Sequence, residues 1–419
     1  MQSTAPTSRL IAYRDVFRNG NWIRLWTGQT ISQLGDAVSD VAFPLLVYEL
    51  TKSAVGLGLS LAIELLPLIV VGPVAGVFAD RWNRRTLLLL VDAVRVLCAL
   101  GLFVSTSVWQ LYLLALLASI MQATFLPAYS AVIPQITEGQ YARSISLSYM
   151  GYQTMQVVGP MVAALIIGLA HGPRAAFLFD AVTFGVGFLL TLTIQVSDVQ
   201  RQERARGVLS DMRLGASLLW NNAVARYVAS CNAVMDIAGA AATLGTVLYI
   251  KEALQLAGPA ADQLYGLTGA VLAASFAVMT GLLGFADTWV PKRSLIVWGP
   301  VLAGLAYLAF YLHPGPGAIL PLFVVASAGT ACSLVPALAY LATAVPVDRR
   351  GRVYSLTNAL GALAKLASYC LCGIAAARLP PEGLLVVCGV LLLIGMPLCT
   401  LTLRGARALR EHDEANGWA

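Results

Sequence analysis

Gly72 to Leu88 reads GPVAGVFADRWNRRTLL, an apolar run that stops in a Gly-Asp-Arg cluster before a second apolar run begins. Asp80, Arg81, Arg84 and Arg85 place alternating charge where a chain would leave hydrocarbon, and Gly76 has no side chain to keep neighbouring helices apart. The stretch therefore predicts two membrane helices joined by a short basic turn. The composition around it agrees. Of 419 residues, 58% are hydrophobic and 11% charged, and the mean hydropathy is +0.76, which excludes an ordinary soluble domain. The apolar runs are long and do not alternate, which argues against a β-barrel. At about 20 residues per span the length has room for roughly a dozen helices.

Outward from the turn, the spans fall near 22–47, 54–78, 86–105, 109–134, 143–169 and 173–195. After the polar stretch VSDVQRQERARGVLSDMR they resume near 215–250, 263–286, 293–312, 317–344, 352–377 and 382–403, followed by a short charged tail. This predicts an all-α membrane protein of twelve helices. An N-terminal bundle spans 1–196, a linker 197–213 and a C-terminal bundle 214–419. The first twenty residues lack the apolar core and cleavage site of a signal peptide. Trp22 and Trp26 read as interfacial anchors. On this layout the even-numbered connections and both termini hold 21 of the 27 Lys and Arg, against Lys52, Arg174, Lys251 and Arg378 on the other side. Arg95 and Lys365 lie within helices. The asymmetry predicts both termini and the linker on the cytoplasmic side of the plasma (inner) membrane. The net charge of +6 is thereby a topology signal and not a nucleic-acid surface. The seven cysteines lie in apolar runs without metal-ligand spacing and read as small packing groups.

The halves repeat. FADRWNRRTLL from Phe78 returns as FADTWVPKRSLI from Phe285, matching Asp80 with Asp287, and PAYSAVIPQITEGQYARSISL from Pro127 returns as PALAYLATAVPVDRRGRVYSL from Pro336. Arg143 then corresponds to Arg352. Duplication of a six-helix unit is the economical reading, and a ligand site of such a repeated membrane fold is expected near the midplane between the repeats. The loop resembles the G-x-x-x-D-R-x-x-R-R motif of the major facilitator superfamily. The helix-5 segment Gly159-Pro160-x-x-Ala163-Ala164 resembles the antiporter motif of the family's exporters, with alanines for its last two glycines. Together with VDAVRVL, TFLPAYSAVIPQI and RAAFLFDAVTF these segments resemble the drug, macrolide or siderophore exporter branch. The resemblance implies a drug:proton antiporter working by alternating access, although the helix-4 arginine of many such antiporters is absent here. It also implies a conformational gate. In that gate Gly76, Asp80, Arg84, Arg85 and Arg95, with Asp287, Lys292 and Arg293, close one side against helix ends at Arg143 and Arg352.

Ionisable residues inside spans are costly and call for roles. Asp36 and Asp40 share a face of helix 1, and with Glu64, Asp236 and Lys365 they form the predicted set for proton coupling and the substrate cavity. Asp36 and Asp40 are the first choice for the proton carrier, and Glu64 with Lys365 are expected to pair across the halves. Asp92, pairing with Arg95 or lying near the Asp80 cluster, and Asp180 read as structural. Phe125, Tyr129, Tyr149, Tyr152 and Tyr340 are candidates to line an apolar pocket. The expected partners are an amphipathic small molecule, protons and the lipid bilayer, with no nucleic acid, and the chain is expected to act as a monomer. No cofactor or metal is implied, and no Walker-type loop is visible. A siderophore or metabolite exporter and an uptake symporter remain alternatives within the class. A polytopic enzyme lacks a histidine and carboxylate cluster at a membrane face, and a channel does not account for the repeated gate motif.

Overall fold

The computed structural model describes residues 16–72, 83–137, 140–195, 216–256, 258–285, 292–346, 350–402 and 405–416. Helices α1 to α6 are Gly20–Thr51, Ala54–Val70, Arg84–Val104, Val108–Ile136, Tyr141–Ala170 and Arg174–Leu192. Helices α7 to α12 are Ala223–Leu248, Pro259–Phe285, Lys292–Leu308, Pro316–Ala344, Arg350–Ala376 and Gly383–Thr402, and α13 is Gly405–Asn416. Helix α7 runs into a π turn at Tyr249–Ala253 and α9 into a 3₁₀ turn at Ala309–Leu312. Among the described residues ten helices are long and apolar enough to cross a membrane. The described part of α2 is a shorter apolar helix of 17 residues. Helix α1 has 32 residues, roughly 48 Å at 1.5 Å per residue, and its acids and small polar residues lower its hydropathy without shortening it.

Contacts divide the chain into two units, Met1–Leu50 with Ile63–Glu203, and Thr51–Ala62 with Arg204–Ala419. The division after α6 falls in the polar linker. The start of α2 belongs by its contacts to the second unit, for a steric reason: a methyl at Gly58 would lie 2.5 Å from the Tyr369 carbonyl oxygen and 3.1 Å from the Gly373 Cα. Two glycines there let backbones touch where any side chain would part them.

Each unit closes over an apolar core at one end. In the first, Trp22, Leu88, Val91, Phe125, Tyr129 and Ile133 are buried together. Trp22 is thus a core residue and not an interfacial anchor, because α1 starts at Gly20 and turns the indole inward. In the second unit, Tyr227, Val228, Ile296, Tyr340, Leu341 and Leu409 do the same. The duplication read from the sequence reappears as a duplicated cap. Asn19 Oδ1 accepts from Trp22 N at 3.1 Å while its Nδ2 donates to the Ile136 carbonyl at the end of α4. Asn222 Oδ1 accepts from Ala225 N at 3.0 Å while its Nδ2 donates to the Ala344 carbonyl at the end of α10, 2.9 Å away. One side chain satisfies an orphan donor at one helix start and an orphan acceptor at another helix end. Residues 216–221 are helical as well, so the helix predicted from about 215 is present and is interrupted at Asn222, whose cap starts α7 at Ala223.

The charged tail forms α13. Its Leu409 is buried, Tyr340 Oη donates to Asp413 Oδ1 at 2.6 Å, and Thr343 Oγ1 lies 2.9 Å from His412 Nε2. The exposed face carries Arg407 with Glu411 at 2.7 Å and Arg410 with Glu414 at 3.9 Å, both four residues apart.

Candidate coupling site in the first unit

Helix α1 presents small residues at Gly28, Ser32, Gly35 and Ser39, spaced three and four apart, so one narrow stripe meets α6. A methyl at Gly35 would sit 2.0 Å from Thr183 Oγ1 and 2.3 Å from Asp180 Oδ1, and one at Gly28 would sit 3.4 Å from the Gly187 Cα. This closeness brings polar groups of α6 onto α1. Ser39 Oγ donates to Asp180 Oδ2 at 2.7 Å, Ser32 Oγ to the Thr183 carbonyl at 3.5 Å, and Thr183 Oγ1 to the Asp180 carbonyl at 2.7 Å.

Helix α3 enters from the other side. Arg95 forms an ion pair with Asp36, and its guanidinium carbon lies 4.0 Å from the centre of the Phe184 ring. The Arg95 side chain is 6% exposed and that of Asp36 27%. Asp92 and Asp180 are buried and within electrostatic reach of both Arg95 and Asp36. Three carboxyl groups therefore lie within electrostatic reach of one guanidinium, which pairs with Asp36, at the junction of α1, α3 and α6. Sequence reading placed Arg95 with the gate and kept Asp92 and Asp180 as structural. The structure brings all three to Asp36. The signal in the sequence was RAAFLFDAVTF, where Asp180 and Thr183 share the α6 face that α1 covers.

Asp40, one turn beyond Asp36 on α1, is exposed at the protein surface and interacts electrostatically with Asp180 and with Glu64 of α2. In the second unit Asp236 and Lys365 lie within electrostatic reach of each other, and α7 approaches α11 so closely at this level that a methyl at Gly361 would meet Asp236 Oδ2 at 2.2 Å. Glu64 and Lys365, the expected pair, thus each have an acidic neighbour of their own, Asp40 for Glu64 and Asp236 for Lys365.

Of the gate residues, Gly76, Asp80 and Asp287 lie outside the described residues, as does the side chain of Arg352. Arg85 donates to the Thr191 carbonyl at 3.5 Å and to that of Leu192, and Arg24 donates to the Thr193 carbonyl at 3.2 Å. Both cations sit on carbonyls at the α6 C-terminus, where the helix dipole favours positive charge. Arg84 and Lys292 are half-buried, and Arg143 and Arg293 are exposed. The helix-5 motif packs on α1: Ala163 and Ala164 are buried, Pro160 lies within the helix, and a methyl at Gly159 would sit 2.3 Å from Ala37 Cβ.

Among the candidate pocket aromatics, Phe125 and Tyr129 stack at 5.5 Å within the first core and Tyr340 is buried against α13. They are packing residues. Tyr149 and Tyr152 of α5 are exposed, at 65% and 41%, and Tyr152 Oη accepts from Gln156 Nε2 at 2.7 Å.

Residues 25–285 match the family model of the Major Facilitator Superfamily. The MFS-type transporter YfiS of Bacillus subtilis is 25% identical over 405 residues, covering 91% of this chain and 93% of its own. The multidrug efflux pump Tap of Mycobacterium tuberculosis is 25% identical over 306 residues, covering 67% and 70%. Macrolide efflux protein A of Streptococcus pyogenes is 29% identical over 148 residues, covering 34% of this chain and 36% of its own. In fold, the chain is similar to the crystal structure of a bacterial homolog of the human lysosomal transporter Spinster, with a TM-score of 0.70 at 15% identity over 92% of this chain and 96% of that one. The structure of the nucleoside transporter NupG gives a TM-score of 0.70 at 11% identity, over 92% and 99%. A family match over more than half the sequence, joined to a fold that is all-helical among the described residues with ten helices long and apolar enough to cross a membrane, makes the chain a multi-pass transporter that belongs to the major facilitator superfamily.

Proposed function

We propose that the protein is a secondary active exporter that moves amphipathic, drug-like molecules out of the cell across the cytoplasmic membrane in exchange for protons. The observation that carries the reading is the cluster of Asp36, Asp92 and Asp180 around Arg95, with Asp40 beside it. An excess of acid in a membrane interior binds cations or holds protons, and proton exchange uses that property directly. Asp36 and Asp40 are the groups of this cluster nearest solvent and serve as the proton carriers. Glu64, Asp236 and Lys365 supply further charge to the cavity. Efflux activity in relatives matching both a third and two thirds of the chain supports the outward direction, with both termini in the cytoplasm. The loop clusters at Asp80 and Asp287 act as the gate. Everted membrane vesicles energised by respiration test the reading with erythromycin and ethidium as probes. Accumulation of either probe that collapses on adding a protonophore is expected. Accumulation of neither, or accumulation indifferent to the protonophore, refutes it.

A further inference from the structure

The structure holds a feature that a static ion pair does not need. The Arg95 side chain is 6% exposed, yet its Nε has no hydrogen-bond partner while its guanidinium pairs with Asp36. A guanidinium presents five donors in a planar fork suited to bidentate carboxylate binding. Here part of the fork is occupied by Asp36, the face is held by Phe184, and the unused Nε donor lies within a site that contains two more carboxyl groups. Asp180 is one of these. It is buried, it interacts electrostatically with Arg95 and Asp36, and Ser39, three residues along α1 from Asp36, already donates to it.

We propose that Arg95 is a moving counter-ion that exchanges between Asp36 and Asp180, with Asp180 as the buried store of the transported proton and Asp36 as its solvent-facing port. In one form Asp36 is ionised and paired with Arg95 while Asp180 carries the proton. In the other the proton is on Asp36 and Arg95 pairs with ionised Asp180. One proton passes from the Asp180 carboxyl to the Asp36 carboxylate as the guanidinium moves the opposite way, so the cluster keeps the same charge throughout. No bond other than O–H is made or broken. The stacked Phe184 ring keeps the guanidinium desolvated in transit. Asp92 is the third acid, close enough to bias both forms. The other titratable groups facing the cluster are Asp40 on α1, Cys98 on α3 and Tyr152 on α5.

This inference rests on the proton-exchange reading above, but its test does not require transport. Full-length protein in lipid nanodiscs is titrated while the carboxyl C=O stretching bands are followed by difference infrared spectroscopy, with protons as the only ligand. Two interacting sites titrate as a pair, so loss of one displaces the other. Asp180→Asn is expected to displace the Asp36 titration by at least one pH unit, a tenfold change in proton affinity, and Asp36→Asn to displace that of Asp180 by a similar amount. Ser39→Ala preserves every charge and serves if Asp180→Asn does not fold. It is expected to displace the Asp180 band alone first and that of Asp36 through it. An Asp36 titration that stays within 0.2 pH unit, roughly the limit of a fitted midpoint, in both Asp180→Asn and Ser39→Ala overturns the proposal. Coupled titration in a protein that exports neither probe would uphold the exchange and remove the export reading. Export without coupled titration would do the reverse.

Discussion

Gly159→Ala adds one methyl group to the helix-5 motif, at a point where the structure leaves no room for it. The new carbon would lie 2.3 Å from Ala37 Cβ and 3.1 Å from the Ala37 carbonyl carbon, whereas carbon atoms rest about 3.5 to 4.0 Å apart. Helices α1 and α5 would have to separate by roughly 1.2 Å or more on that spacing. Overpacking of this kind costs about 1 to 3 kcal/mol, so the helix-propensity gain of about 1 kcal/mol for Gly to Ala offsets only part of it. The separation would also fall on the helix that carries Asp36 and Asp40. A thermal melt followed by a thiol-reactive fluorophore suits the protein, because Cys98, Cys231, Cys332, Cys372 and Cys388 are buried and free. Gly159→Ala should lower the midpoint and impair probe accumulation. Ala37→Gly in the same chain should restore both, with a coupling free energy of about 1 to 3 kcal/mol. Gly185→Ala, where nothing lies within 4 Å of the added carbon, should leave the melt unchanged or raise it. An unchanged melt for Gly159→Ala, or additive effects of the two α1–α5 changes, would refute the packing argument.

Three further outcomes follow from the same geometry. Arg95→Ala strands Asp36 among two other acids and should cost roughly 3 to 5 kcal/mol of stability, most of it recovered when Asp36→Asn is added; equal yields and melts for single and double variants would show that the pair is idle. Asp236→Ala and Lys365→Ala should couple by about 0.5 to 3 kcal/mol in a double-mutant cycle, and strict additivity would mean that the two charges do not sense each other. Burial pushes the His412 imidazole below its usual value, against a smaller opposing effect of Asp413. The folded state therefore binds fewer protons than the unfolded one at that residue. The contribution is fully present above about 6.5 and fades as pH falls through the folded value. Hydrogen-exchange protection factors in Gly405–Asn416, taken relative to the intrinsic exchange rate at each pH, should accordingly fall below that pH, and protection that is flat with pH, or identical in His412→Asn, would contradict it.

The fold was legible in the sequence because it depends on quantities a sequence carries: lengths of apolar runs, the Lys and Arg asymmetry and an internal repeat. Helix ends near 104, 136, 170, 312 and 344 follow from them. The break at Asn222, between the helical residues 216–221 and α7, was missed because Asn222 bonds to a carbonyl of α10, a partner remote in the chain. Helix α13 was missed because one buried leucine and the Asp413 and His412 contacts anchor a segment whose composition reads as a tail. The site was legible in part. Asp36 stood out as an acid in a span, but its partner depends on how α3 is rotated about its axis, and Asp92 three residues from Arg95 offered a nearer one. Asp180 read as peripheral because the glycine and serine stripe on α1, which admits α6 to the site, has meaning only once the two helices are seen together. Within the second unit, the electrostatic reach between Asp236 and Lys365 depends on α7 and α11 packing together, which no spacing in the sequence announces.

The central claim, export driven by proton exchange through the Asp36 cluster, is tested most directly by substrate-induced proton movement. Everted vesicles are acidified inside by respiration and followed with a quenched acridine dye, and erythromycin or ethidium is then added. The account predicts that the probe restores fluorescence as protons leave the vesicle, and that Asp36→Asn abolishes the response at equal protein level. Restoration of the same size in Asp36→Asn vesicles, or probe accumulation with no change in the dye, would contradict it.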